Sequence, residues 1–286
     1  ATDRDCKNNR VRFISVLDTP TRPLQHFAER TKSHVPASPM KYDDHDENPI
    51  GAKISLSSRL RAQSNRLVIL ITLVFCLPLI ALFERAKPGT GRNIALHTIR
   101  LVAHCTGIQF HIVNNPDVDK LKGAVFVSNH RSPVDIAALL LARPSSRFLA
   151  AAELFRIPLL ASAMRALGCI PVNRRNPRRF ETVLDSLDLD TDTNLVVFAE
   201  GGIKQGPLGP FRTGAFRIAI DAQLPVVPVA ILGSDSVLPP SARLRARPGT
   251  VVVRFGSPLD TAGLTSEDRY KLRAATYNAV RALLDQ

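Results

Sequence analysis

Residues 124–142 of this 286-residue chain read AVFVSNHRSPVDIAALLLA. The run opens with five apolar or small residues, a length and composition typical of a buried strand. Ser132 followed by Pro133 is typical of a helix start, with the serine as N-cap and the proline at the first helical position. We therefore predict a strand, a short loop that carries His130, and a helix, in this order.

Apolar runs of strand length alternate with helical patterns over the rest of the chain, from residue 92 onward. Strands are predicted at residues 108–113, 124–128, 147–150, 169–172, 194–199, 226–232 and 250–255. Helices are predicted at residues 92–105, 133–142, 158–167, 177–187, 213–222 and 266–284. This alternation predicts an α/β fold with a mixed, largely parallel sheet flanked by helices, whose active groups lie on loops at strand ends.

The N-terminal part of the chain differs from the rest in composition. Residues 1–55 are polar, contain prolines and lack periodicity, which favours a tail or loosely ordered extension. Residues 67–83 are an uncharged apolar run, at the lower limit of the roughly 17 to 25 residues that span a bilayer. We therefore predict a tail at 1–55, a membrane-associated helical segment at 56–88 and an α/β domain at 89–286.

Three structures fit the apolar run. It can be a membrane-spanning helix, a re-entrant helical hairpin bent at Pro78, or a buried core helix. Core helices seldom run so long without a polar face, which favours the membrane. Arg59, Arg61 and Arg66 precede the run and favour a cytoplasmic location for the residues before it.

The overall charge indicates the class of binding partner, and the cysteine pattern indicates the redox compartment. A net charge of +13 predicts an anionic partner. The chain has no Trp and only three Tyr, so it offers few aromatic platforms for unpaired bases. We therefore expect a membrane phospholipid surface and phosphate-bearing substrates, and no nucleic acid. The four cysteines lie far apart without a CxxC pair, which predicts free thiols in a reducing compartment and no metal site.

His130 and Asp135 carry the first candidate chemistry, because they fall in the predicted loop and in the first turn of the following helix. A carboxylate there can fold back onto the imidazole ring. It fixes the tautomer and stabilises the imidazolium that forms when the histidine takes a proton. The alternative is that Asp135 only complements the helix dipole, as acids in a first turn often do.

Three further blocks follow in order. They are GCIPVNR at residues 168–174, VVFAEGG at residues 196–202, leading into a Gly-rich loop that reaches Gly214, and PVVPV at residues 225–229. Each has a structural alternative. The arginines at 175, 178 and 179 fit a solvated basic face or membrane-surface patch. Glu200 fits a loop ion pair, and Gly201 and Gly202 fit simple turn formers.

The four blocks together resemble the NHxSxxD, GxIfvdR, FPEGTRS and vPvvPV motifs of the glycerophospholipid acyltransferase family, typified by the 1-acyl-glycerol-3-phosphate acyltransferases. The resemblance covers about residues 100–235. It implies that residues 89–286 are an acyltransferase domain that moves a fatty acyl group from acyl-CoA or acyl-carrier protein to lysophosphatidic acid. It implies no cofactor besides this acyl thioester donor, and no metal.

The resemblance also implies a role for individual residues. His130 would be the general base with Asp135 as its partner. The implied acceptor-side and phosphate-binding residues are Arg174, Glu200, Gly201, Gly202, Lys204 and Arg212. The chain departs from the family at Ile203, where the motif has an arginine, and Lys204 or Arg212 is the candidate to replace that charge. A lysine would supply a point charge where an arginine supplies a bidentate fork.

Two other functions stay open at this point. The acceptor can be glycerol 3-phosphate or another lysolipid, or the chain can be a catalytically silent lipid-binding protein of the same fold. The His130–Asp135 pair disfavours the silent protein. We expect a location at the cell membrane, peripheral, monotopic or single-span, with the active site at the cytoplasmic face.

Overall fold

The computed structural model describes residues 56–173, 189 and 192–286. Its strands are β1 (Ile108–Val113), β2 (Ala124–Ser128), β3 (Arg147–Ala151), β4 (Ile170–Val172), β5 (Asn194–Phe198), β6 (Val226–Leu232) and β7 (Gly249–Phe255). Its helices are α1 (Leu56–Ala86), α2 (Thr90–Thr106), α3 (Pro116–Asp119), α4 (Val134–Ala142), α5 (Pro158–Ala166), α6 (Gly214–Asp221), α7 (Ser234–Val237) and α8 (Arg269–Leu284). The predicted strands and helices within these ranges are confirmed, with small shifts at their ends. The predicted helix at 177–187 and the predicted tail at 1–55 lie outside the described residues.

The strands form one sheet in the order β1-β7-β6-β2-β5-β3-β4. Neighbouring strands are parallel except β6 and β7, which are antiparallel. The sheet is therefore mixed and largely parallel, as predicted. Because β2 lies between β5 and β6, the loops that follow these three strands meet at one edge of the sheet.

Helices cover both faces of the sheet. In β2, Phe126 packs into the core shared with α1, α2 and α4, whereas Val125 and Val127 pack into the core shared with α6 and α8. This alternation follows from the two-residue repeat of a strand. Since both faces of β2 are covered, all five of its residues are buried, and the first four are apolar.

The two N-terminal helices form an antiparallel hairpin. At the end of α1, the Glu84 carboxylate accepts hydrogen bonds from the N–H groups of Gly89 (2.7 Å) and Arg92 (3.2 Å). These donors lie just before and within the first turn of α2, where N–H groups lack partners inside the helix. Gly91 lets the helices approach closely here, because a Cβ atom at this position would collide with the Ile80 carbonyl oxygen.

The other end of α1 is fastened to the α/β part of the protein. The side-chain amide of Asn65 is buried and donates to the carbonyls of Thr106 (3.4 Å), at the end of α2, and Ala246 (3.0 Å), in the loop before β7. The third turn of α1, at Asn65, and its last turn, at Glu84, therefore both contact the rest of the protein, and α1 also packs against α5.

The outward face of α1 is apolar and exposed. Leu60–Ala86 is long and apolar enough to cross a bilayer, and only 11% of its most apolar stretch is buried. Leu67, Val74 and Phe75 are 59%, 56% and 65% exposed. This is not the surface of a buried core helix. The helix also continues through Pro78, so the hairpin is formed by α1 with α2 and not by a bend within the apolar run.

Candidate active site

His130 and Asp135 form a buried pair at the end of β2. The Nδ1 atom of His130 lies 2.8 Å from Oδ2 of Asp135, and their side chains are 11% and 0% exposed. An ionised carboxylate only accepts hydrogen bonds, so Nδ1 is the donor and its hydrogen lies on the side of Asp135. This geometry leaves Nε2 as the ring nitrogen that can accept a proton.

Asp135 also fixes the loop that carries the histidine. Its Oδ2 atom accepts hydrogen bonds from the backbone N–H groups of Arg131 (2.7 Å) and Ser132 (2.8 Å). The Ser132 hydroxyl accepts from the N–H of Val134 and donates to the Leu238 carbonyl, which holds the start of α4 against the loop after β6. The aspartate is therefore more than a first-turn acid, because it contacts both the ring and the backbone beside it.

The imidazole of His130 is stacked on Phe198, the last residue of β5, with ring centroids 3.9 Å apart and an interplanar angle of 13°. This contact covers one face of the ring. Together with the Nδ1 hydrogen bond, it restricts rotation of the ring, so Nε2 keeps one direction. A fixed base needs less reorganisation when it takes a proton.

The loop after β5 holds the backbone of His130 at both of its polar atoms. The N–H of His130 donates to Oε1 of Glu200 (3.3 Å), and its carbonyl accepts from the N–H of Lys204 (2.9 Å). Glu200 is 4% exposed and also accepts from Gly209 N–H (2.8 Å) through Oε2. Glu200, at the start of the Gly-rich loop, therefore joins the histidine loop to the middle of that loop at Gly209.

A buried ion pair strengthens the same junction. Nη1 of Arg131 lies 2.6 Å from Oε1 of Glu200, and the two side chains are 9% and 1% exposed. Arg131 also donates to the carbonyls of His130 (3.2 Å) and Pro207 (3.3 Å). Both carboxylate oxygens of Glu200 thus contact protein groups, which fits the ion-pair alternative for this residue and gives its carboxylate a structural role in the site.

Gly201 and Arg212 are in contact in the Gly-rich loop. Gly201 has a φ of +78°, in the left-handed region that favours glycine. A Cβ atom at Gly201 would collide with the side chain of Arg212 at Nε. The exposed Arg212 side chain therefore lies against Gly201, beside the turn that follows Glu200. Lys204 is also exposed, so the chain brings two cations to this loop.

The backbone N–H groups near His130 and Asp135 differ in whether they already donate a hydrogen bond within the protein. Those of Arg131, Ser132, Val134 and Asp135 at the start of α4 donate within the protein. The N–H of Gly201 donates to the Phe198 carbonyl. Within the described part of the chain, no hydrogen bond is found from the N–H of Gly202, so this group is an available donor in the loop that contacts the backbone of His130.

The structure describes all the predicted site residues except Arg174, which lies outside the described residues together with the arginines at 175, 178 and 179. In the structure, His130 is in direct contact with both Asp135 and Glu200. Burial raises the pKa of Cys169, just before β4, to about 11. That thiol is therefore neutral near pH 7 and is not an activated nucleophile.

Sequence reasoning missed three residues that build the site: Asn129, Arg131 and Phe198. The Asn129 side chain exchanges two 2.8 Å hydrogen bonds with the backbone of Ile231, which ties the end of β2 to β6. Each of the three lies at the end of β2 or β5. A strand-end position next to the His130 motif was the available signal, but their partners depend on the order of the strands.

A strand-end His–Asp pair on a mixed α/β sheet defines the class of site, and several known proteins resemble the chain in sequence. Residues 109–232 match the model of the family described as Acyltransferase. A chloroplastic 1-acyl-sn-glycerol-3-phosphate acyltransferase of Brassica napus is 30% identical over 221 residues, which are 72% of this chain and 63% of the relative. A probable 1-acyl-sn-glycerol-3-phosphate acyltransferase of Mycoplasma pneumoniae is 27% identical over 226 residues, 70% and 84% of the two chains.

The fold has a solved counterpart. The crystal structure of the 1-acyl-sn-glycerophosphate acyltransferase PlsC from Thermotoga maritima matches with a TM-score of 0.66 at 22% identity, over 80% of this chain and 96% of that one. This chain is similar to the acyltransferase family over residues 109–232. It spans 63% and 61% of the lengths of its Brassica napus and Arabidopsis thaliana relatives.

Proposed function

We propose that this protein is an O-acyltransferase that moves a fatty acyl group from acyl-CoA or acyl-carrier protein to a glycerolipid hydroxyl. The acceptor we favour is 1-acyl-glycerol-3-phosphate, which would give phosphatidic acid for phospholipid biosynthesis. The observation that carries the proposal is the buried His130–Asp135 pair, with Nε2 free to act as a base, in a chain similar to the acyltransferase family.

The proposed mechanism is a direct transfer. Nε2 of His130 takes the proton of the acceptor hydroxyl as its oxygen attacks the thioester carbonyl. The C–O bond forms, the C–S bond breaks, and the protonated His130 returns the proton to the departing thiolate. Asp135 stabilises the transient imidazolium through Nδ1, at the 2.8 Å distance described above. No group on the protein is acylated.

The negative charge that develops on the carbonyl oxygen needs a donor. We propose the N–H of Gly202, because the N–H groups at the start of α4 already donate within the protein. A preorganised N–H group at such a position typically contributes about 10²- to 10³-fold to turnover.

The acceptor phosphate requires cations near the same loop. Arg212 is the candidate that we favour to replace the motif arginine absent at Ile203, because its side chain lies against Gly201 and is exposed. Its planar guanidinium can bind a phosphate through two parallel hydrogen bonds. Lys204 would add a point charge, and Arg174 keeps the phosphate-binding role that the family motif implies. Glu200 would position this loop and would not touch the phosphate.

We propose that the protein is monotopic, with α1 lying in the plane of one leaflet. From Asn65 to Glu84 the helix rises about 28 Å, close to the roughly 30 Å of the apolar bilayer core. Both ends contact the same α/β domain. A helix that crossed the bilayer would carry polar parts of that domain into the apolar core. The active site would face the cytoplasm, where the soluble thioester donor is found.

We also propose the division into a tail at 1–55, a membrane-associated segment at 56–88 and an acyltransferase domain at 89–286. Its first boundary follows the start of α1, and its second lies just before α2. The close packing of α1 on α2 means that the apolar segment and the catalytic domain would fold as one unit.

An acceptor panel tests the proposed activity. Purified protein in neutral detergent micelles receives one long-chain acyl-CoA and, separately, lysophosphatidic acid, glycerol 3-phosphate, and a lysolipid without a free phosphate monoester. Formation of phosphatidic acid from lysophosphatidic acid, with slower acylation of the others, is the expected result. Preference for glycerol 3-phosphate or a lysolipid would move the acceptor to that molecule. Lipid binding without any acyl transfer would show a silent member of the fold.

A further inference from the structure

The loop before β7 carries an alternating basic sequence. Residues 243–247 read RLRAR, and Arg243, Arg245 and Arg247 are all exposed. Between them Leu244 is half-buried and Ala246 is completely buried in the core that contains α1 and α2. The alternation therefore points three guanidinium groups outward from a loop whose intervening residues are held by packing.

The backbone of this loop is unusual. Arg243 and Leu244 have φ angles of +47° and +66°, so two successive residues other than glycine occupy the left-handed region. This conformation is unfavourable for both residues and persists only where the surroundings hold it. Here the Asn65 side chain of α1 bonds the Ala246 carbonyl, and the N–H of Arg247 bonds the Val237 carbonyl.

The contact with Asn65 brings the loop beside two arginines of α1. Arg61 lies one helical turn before Asn65 on the same side of α1, and Arg66 follows it. We call the five arginines at positions 61, 66, 243, 245 and 247 the basic patch. Within the described parts of the chain, none of them takes part in an ion pair, although other arginines, such as Arg131 and Arg143, do. Nε of Arg66 is even buried without a hydrogen-bond partner.

The position of the basic patch identifies its partner. It borders the exposed apolar face of α1, where Leu60 and Leu67 are 62% and 59% exposed. A surface that satisfies both features has an apolar interior and a layer of anionic groups at its edge. Arginine also binds phosphate through a bidentate fork and is weakly hydrated, so it suits phosphodiester headgroups at such a boundary.

We propose that the basic patch binds the headgroups of anionic phospholipids and holds the N-terminal end of α1 at headgroup depth. The inference rests on the proposed membrane location and adds a lipid preference to it. It concerns a surface remote in sequence from the His130 motif, and it requires no turnover. Each arginine near an anionic membrane contributes about a fivefold preference, so three contribute on the order of 100-fold.

A vesicle competition measures this preference directly. The full-length protein is mixed with equal amounts of pure phosphatidylcholine vesicles and vesicles of phosphatidylcholine with phosphatidylglycerol, at low salt, and its equilibrium distribution is measured after loading from either population. The variant R243Q/R245Q/R247Q should lower the preference for anionic vesicles about 100-fold. The control R269Q/K271Q/R273Q removes the same charge from α8, on the opposite face of the sheet, and should change it less than about threefold.

Several outcomes would overturn the proposal. An unchanged distribution of the loop variant would exclude the loop, and an equal fall in both variants would reduce the effect to net charge. Loss of preference on adding inorganic phosphate, but not chloride of equal ionic strength, would assign the basic patch to a free anion. If the loop variant does not fold, hydrogen exchange of residues 243–247 in the wild-type protein tests the proposal instead. Exchange should slow with anionic vesicles and not with pure phosphatidylcholine vesicles, and equal rates with both would overturn the proposal. A wild-type protein without acyl transfer that keeps its lipid preference would refute only the proposed function.

Discussion

At the scale of single residues, the site depends on the tautomer and direction of one imidazole. Asp135 holds Nδ1, and Phe198 covers one face of the ring. The side chain has little freedom left, so its chemical role rests on Nε2. The same restraints mean that removal of the ring should affect turnover far more than folding.

His130→Ala should lower kcat for acyl transfer by about 10²- to 10⁴-fold, because it removes the proposed base. Steady-state kinetics with lysophosphatidic acid and a long-chain acyl-CoA measure the change, and circular dichroism checks the fold. His111→Ala, at an exposed position of β1, is the matched control and should keep wild-type turnover. A folded His130→Ala protein within a few-fold of wild type would refute the role of His130.

A comparison of two glycines with similar φ angles separates the cost of backbone strain from the cost of close contact with a neighbouring side chain. Gly201 and Gly206 have φ angles of +78° and +84°, but only Gly201 lies against another side chain, that of Arg212. Gly206→Ala should lower the free energy of unfolding by about 1 kcal/mol, the usual cost of a left-handed alanine. Gly201→Ala should cost more and should raise KM for the phosphorylated acceptor, because Arg212 must move. Equal costs in denaturant unfolding, with unchanged KM, would contradict this placement of Arg212.

At the scale of elements, the Arg131–Glu200 ion pair joins the loops that follow the neighbouring strands β2 and β5. Both partners are almost fully buried, so the loss of one leaves an uncompensated charge inside the protein. We therefore expect that removal of one partner lowers stability mainly because the other charge is left buried and unpaired. The net contribution of the intact pair to stability is expected to be smaller.

Arg131→Met and Glu200→Gln should each lower the free energy of unfolding by about 3 to 5 kcal/mol. The double variant should be less destabilised than the sum of the two, by about 1 kcal/mol or more, because neither charge is left alone. Denaturant unfolding of the four proteins in the same neutral micelles gives the coupling energy. Additivity within about 0.5 kcal/mol would show that the pair does not couple these loops.

At the scale of the whole molecule, the exposed apolar face of α1 is the feature that supports the proposed membrane location. Leu67, Val74 and Phe75 are each more than half exposed, so most of their apolar surface is not packed against the protein. Their burial in lipid is worth about 1.5 to 3 kcal/mol per side chain. Both the acyl chains of the proposed substrates and this surface favour the same apolar medium.

The triple variant Leu67→Ser, Val74→Ser and Phe75→Ser should shift the protein from the membrane pellet to the supernatant in the absence of detergent. High salt should not release the wild-type protein, because apolar burial is not screened as surface charge is. Micellar acyl transfer should survive in the variant, since His130 and its partners are untouched. A wild-type protein that is soluble without detergent would refute the membrane location.

Within the described residues, the sequence by itself determined the strands, the longer helices and the closeness of His130 and Asp135. These features depend on local patterns: an apolar run of five residues, a Ser-Pro helix start, and two site residues only five positions apart. The apolar run of α1 was equally visible. Hydrophobic periodicity and helix capping act between near neighbours in the chain, so they can be read without knowing the fold.

Only the tertiary structure decided which distant groups meet. Arg131 and Glu200 are 69 positions apart, and Asn129 and Ile231 are 102 apart. They meet because β2 lies between β5 and β6, an order that does not follow the chain. The same holds for α1, because only the fold shows which side of this apolar helix α2 and α5 cover and which side stays exposed. Strand order and helix docking arise from long-range packing. A local apolar pattern indicates that a residue is buried, but it does not indicate which distant residue it contacts.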